Sequence, residues 1–265
     1  MTTPLLRRFV AVLTAAALGA VGVLCAVLLP TSEDPGDLVS TAPAAGTAAA
    51  DRFRTVGDGS LPEAAPPLRA PHEPLSSDER GYAYHLAREA VPTTTRDVRG
   101  EPGGELISAD LPPLAERTAD RRVAVTLYDY ASDELHQILL DLTHDAVVRS
   151  QTAEGLQLPP TQAETATALE LAMTASPAPA FVRQYRQVNG IPLLTAGQVS
   201  AVAGVWQPVD QRSPNPATRA CGQHRCVELL IALPTGEYLA TQDIVVDLST
   251  RTVFPTGQED SSNAR

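Results

Sequence analysis

Residues 139–148 read LLDLTHDAVV, and residues 245–254 read VVDLSTRTVF. In each, apolar residues alternate up to an aspartate, a short polar turn follows, and apolar residues resume. Ile138, Leu140 and Leu142 fall on one face before the first turn, as Ile244, Val246 and Leu248 do before the second. Val147 and Val253 open the returning strands. The two phrases therefore read as equivalent hairpins about a hundred residues apart, and a repeat of that period implies a fold built twice.

The segments upstream of each hairpin follow the same script. In RVAVTLYDY, 122–130, Val123, Val125 and Leu127 share a face; in CVELLIAL, 226–233, Val227, Leu229, Ile231 and Leu233 do. Further upstream, Ser76 and Glu79 have the spacing of a capping box, as do Thr161 and Glu164. Each cap opens a helix, with Tyr82, Ala83, Leu86, Ala87 and Ala90 forming one packing stripe and Ala166, Leu169, Ala172 and Met173 the other. The expected class is α+β: two tandem units, 71–156 and 157–256, each a helix laid on an antiparallel sheet.

Asp141 and Asp247 stand at the same place in the repeat. One reading gathers Asp141, His136, His144 and Asp145 into a metal or acid–base cluster. The other has each aspartate accept hydrogen bonds from turn amides, with Thr143 or Ser249 two residues on. The second copy keeps Asp247 and Ser249 but has Thr250 and Arg251 in place of His144 and Asp145. What recurs is turn chemistry, so both aspartates are read as structural turn residues.

Composition narrows the function. All twenty basic residues are arginine, and net charge is −11; residues 1–30 hold Arg7 and Arg8 and no acid, so the remainder carries −13. A surface of that sign repels phosphate backbones, which excludes nucleic acid as a partner. From Phe9 to Leu29 the chain has no charge, long enough to cross a bilayer as helix, and Pro30 closes the run. The run exceeds a secretory h-region, and the nearest small-x-small site, Ala48 to Ala50, lies well beyond it. The expectation is an uncleaved transmembrane anchor over 1–30, with a cleaved signal and secretion as the alternative. Arg7 and Arg8 before the run and acids after it place the C-terminal domains outside the cytoplasm. Residues 31–70, rich in Ala, Pro and Gly, read as a disordered linker, and 257–265 as a disordered tail.

Outside the cytosol Cys221 and Cys226, in CGQHRC, read as a disulfide. His224 between them admits a soft-metal site, but the spacing is not that of the paired cysteines of structural zinc. The five histidines, 72, 85, 136, 144 and 224, are scattered, and no Gly-x-Ser-x-Gly, His-Glu-x-x-His or phosphate-cradling loop appears. The Gly-rich RGEPGGE, 99–105, carries acids rather than a lysine and reads as a turn. No catalytic, cofactor-binding or metal residue is assigned.

The order of capped helix, strands and Asp-bearing hairpin, then a second helix leading to Asn189-Gly190-Ile191, a strand ending Val205-Trp206-Gln207-Pro208, Cys221 and Cys226, and Val245-Val246-Asp247-Leu248, resembles the two small N-terminal domains of copper amine oxidases. The resemblance covers roughly residues 74–255 and implies cystatin-like α+β units. In that family the catalytic domain supplies copper, a His-x-His pair and a quinone made from the tyrosine of an Asn-Tyr motif; this chain contains neither pattern. The sequence thus points to a membrane-tethered, extracytoplasmic, non-catalytic binding or protein-interaction module, with another extracytoplasmic protein as its candidate partner. The alternatives are an accessory or degenerate relative of the oxidases, and an enzyme with an unrecognised site.

Overall fold

The structure, a computed structural model, describes residues 65–208 and 216–256. The apolar run 9–29, most of the 31–70 linker and the 257–265 tail lie outside the described residues. No helix among the described residues is long and apolar enough to cross a membrane. All of them belong to one compact unit, Gly46–Arg265.

Two four-stranded antiparallel sheets and three α-helices make up the described residues. The first half runs α1 (Ser77–Ala90), β1 (Glu105–Asp110), β2 (Arg122–Asp129), β3 (Glu134–Asp141) and β4 (Ala146–Glu154); the second runs α2 (Gln162–Thr174), α3 (Ala180–Asn189), β5 (Ser200–Val205), β6 (Cys226–Ala232), β7 (Ile244–Asp247) and β8 (Thr252–Pro255). Strand order within each sheet is sequential, β1-β2-β3-β4 and β5-β6-β7-β8.

Alternation dictates the packing. Val123, Val125, Leu127, Ile138, Leu140 and Leu142 turn one face of the first sheet onto Tyr82, Ala83 and Ala87 of α1. In the second sheet Val227, Leu229, Ile231, Val246 and Leu248 meet Ala168, Leu169 and Ala172 of α2. Alanine on the helix faces lets the helices approach closely, which is how a chain poor in aromatics still closes its cores. Two residues of the first half cross over: Val98, in the loop between α1 and β1, is buried in the second core, and Tyr130 packs against it.

Both helices open with complete capping boxes, Ser76 with Glu79 and Thr161 with Glu164. Each of these glutamates is fully buried and holds a buried arginine just before a strand. Arg121 Nε and Nη2 donate to the two oxygens of Glu79 at 2.8 and 2.9 Å, while Nη1 donates to the carbonyls of Ala70 and Glu73. Arg225 grips Glu164 in the same way, through Nε and through Nη2 at 2.9 Å. The arginine backbone then holds the hairpin: Arg121 N donates to Thr143 Oγ1 and Arg225 N to Ser249 Oγ, both at 2.9 Å.

Two elements differ from the sequence reading. A further helix, α3, follows α2, because Pro177 and Pro179 end one helix and start another, with Pro179 at the N-cap and Gly190 (φ 71°) at the C-cap. Strand β1, which continues directly from the glycine turn at 99–104, also lacked a sequence signal, its short ELISAD run carrying only mixed burial.

Burial pushes the Glu79 carboxyl up, but hydrogen bonds from Arg121 and from the Ser76 and Arg69 amides outweigh it and hold it at about 2. Its contribution to stability is complete above its unfolded value near 4.5 and is lost as pH falls towards 2. Arg121→Met, which strands that carboxylate, is expected to cost about 3–5 kcal/mol in denaturant unfolding. Added to a chain already carrying Glu79→Gln, the same change should cost much less; equal costs in both backgrounds would show that the two side chains act independently.

Candidate functional site

The hairpin turns gather the polar side chains that the sequence singled out. Asp141 Oδ1 accepts from Thr143 N at 2.9 Å; Asp247 Oδ1 accepts from Ser249 N at 2.9 Å and Thr250 N at 3.1 Å. Both turns close on a residue with positive φ, Asp145 at 50° and Arg251 at 54°. Asp145 also lies against the Tyr82 hydroxyl, whose pKa burial and this carboxylate raise.

The other oxygen of each aspartate carries a histidine. His144 Nδ1 lies 2.9 Å from Asp141 Oδ2, and His224 Nδ1 lies 2.9 Å from Asp247 Oδ2. The second histidine comes from the 221–226 loop rather than from the turn, so comparing the two turns position by position missed it. A histidine at the aspartate is common to both halves, although the residue supplying it is not. His224 also extends Nε2 to 3.9 Å from Asp133 Oδ2, a residue of the first half at φ 58°.

Asp120 joins the first pair: Asp120, Asp141 and His144 each offer one ligand atom within 4.8 Å of the others. A cation there would have to replace the Asp141–His144 hydrogen bond. His136 and Asp145 are not part of this group. His136 is buried in β3 opposite Leu127 and Thr152, with Nε2 lacking a hydrogen-bond partner. Cys221 and Cys226 form a disulfide packed against Val245 and Trp206, so their sulfurs are unavailable as thiolates to a metal.

A second polar group lies where the halves meet. Tyr130 Oη donates to Glu164 at 2.6 Å, Thr161 Oγ1 to Glu105 at 2.9 Å, and Tyr128 Oη to Asp133 at 3.0 Å; Ser249 Oγ also donates to Asp133. The Arg225 guanidinium stands 5.2 Å from the centre of the Tyr128 ring. Burial first, then the neighbouring carboxylates, pushes both tyrosines above their usual range. They act here as donors. Ser249 Oγ is likewise hydrogen-bonded, donating to Asp133 and accepting from Arg225 N.

No protein-family model matches the chain, and no curated protein matches its sequence. Among solved structures, a copper-containing benzylamine oxidase from Hansenula polymorpha matches with a TM-score of 0.41 and 14% identity over 71% of this chain. The match spans 30% of the length of that oxidase. A likeness of this degree assigns neither activity nor cofactor.

For Asp141, burial raises the pKa, but His144 and the turn amides outweigh it and set it low; Asp141 in turn raises His144. The carboxylate's contribution is lost as pH falls, and the imidazole's as pH rises through its raised value, so the pair is strongest between the two titrations. Asp141→Ala and Asp247→Ala, which unpair turn amides, should each cost about 1–2 kcal/mol. His144→Ala should cost less, with an effect seen near pH 5.5 that fades by pH 8.5. Thermal unfolding of the three variants across that range makes the comparison.

Proposed function

We propose that residues 65–256 form a non-catalytic binding module, held outside the cytoplasm by the apolar segment 9–29, whose partner is another extracytoplasmic protein. The observation that carries this reading is how the reactive side chains are used. The capping glutamates, Glu79 and Glu164, are spent on arginines and helix caps, the paired histidines on turn aspartates, and the cysteines 221 and 226 on a disulfide.

The apolar surface supports the same reading. Val202 and Leu230 stand opposite each other across β5 and β6, on the face turned away from α2, and both are exposed. Tyr238, bridged to Ala232 at the end of β6, is exposed as well. Exposed apolar side chains of this kind on an acidic chain favour protein contact.

The element order that resembles copper amine oxidase domains supports a second reading, a relative of those enzymes without its own chemistry. Both are tested on the full chain, tagged and extracted from its native membrane in mild detergent. A stoichiometric partner is expected to co-purify with the wild type and to be lost on Val202→Lys or Leu230→Lys with the melting temperature unchanged. Hydrogen peroxide release from benzylamine after copper loading would replace this reading with that of an oxidase.

A further inference from the structure

Glu105, the first residue of β1, is buried at the junction between the halves and faces another buried carboxylate, Glu164 of α2. Its hydrogen-bond partners are the Thr161 hydroxyl, at the cap of α2, and the Val98 amide. Asp97 adds charge from the preceding loop; Tyr130 approaches from beyond β2, and Tyr84 from α1. Two cations stand around this contact: Arg225 is already bound to Glu164, and Arg251 donates to the Val98 carbonyl; among the described residues no arginine bonds Glu105.

The first half has no counterpart to this arrangement. Its capping glutamate, Glu79, meets Arg121 and backbone amides alone. Among the described residues only the second cap therefore carries an additional carboxylate, supplied by the other half of the molecule.

We propose that the Glu105–Thr161–Glu164 contact is a proton-gated seam: closed when Glu105 holds a proton, loosened when Glu105 ionises against Glu164. Arg225 and Tyr130 fix Glu164, so Glu105 is the group that yields. Its withdrawal frees the Thr161 hydroxyl and the Val98 amide, and with them the 92–104 loop that seats Val98 in the second core. The bonds from the Thr161 hydroxyl and the Val98 amide favour the carboxylate, but burial, followed by the Glu164 charge, outweighs them and pushes the Glu105 carboxyl up to about 7. That is above its unfolded value, so the seam is intact in acid and is lost as pH rises through 7.

The test is amide exchange of the full chain in detergent at pH 5 and pH 8.5, corrected for the intrinsic pH dependence of exchange. Protection over 95–104 and 161–165 is expected to fall about tenfold or more between the two pH values, with the β2–β3 core unchanged. Glu105→Gln should keep the same segments protected at both. Carboxyl carbon shifts of the wild-type chain provide a readout that does not depend on any variant. A Glu105 midpoint near 7 supports the seam. A midpoint below 5, or the same loss of protection in Glu105→Gln, overturns it.

Discussion

Each half of the described chain depends on a buried carboxylate–guanidinium pair that joins three pieces of structure far apart in sequence. The glutamate is the third residue of its helix and closes the cap; the arginine precedes a central strand, and its backbone amide receives the hairpin turn. Helix start, strand start and turn are therefore fixed at one point. Burying such charges carries a large desolvation penalty unless every hydrogen-bonding position is filled. Here the guanidinium of Arg121 is filled by both oxygens of Glu79 and by the carbonyls of Ala70 and Glu73. In the second half Arg225 finds Glu164, Gln157 and the carbonyl of Pro159, and its face lies over Tyr128. The supporting shell is different, but the arginine is neutralised in the same way.

The parts of this arrangement that are local in sequence were legible before any coordinates. The capping boxes, the inward faces of β2, β3, β6 and β7, and the hairpin aspartates all follow from spacings of four residues or fewer. The arginine–glutamate pairs span 42 and 61 residues, and no local pattern links such partners. A signal was nonetheless present: β2 and β6 are each preceded by an arginine, and each capping box supplies a glutamate. Superposing the two copies by role would have suggested the match. Superposing them by position hid His224, because it reaches Asp247 from a different loop.

The two halves resemble each other in how they are held together and differ in what each offers its neighbour. The first half contributes Tyr128, Tyr130, Asp133, Glu105 and Val98 to the contact; the second answers with Glu164, Thr161, Arg225, Ser249 and Arg251. Polar groups dominate that contact, and most are paired with one another. It is thus specific in geometry while its strength depends on the charge of a few side chains.

Val98 belongs by sequence to the first half and by packing to the second, where Arg251 Nη1 also donates to its carbonyl at 2.7 Å. The boundary that the repeat draws near residue 156 is therefore not one at which the molecule could be cut and rejoined. A recombination event that exchanged one half for that of a distant relative would carry the plug away from the socket it fills. A change in this loop has to be matched by a change in this core, so the halves that read as two in sequence are one piece in packing.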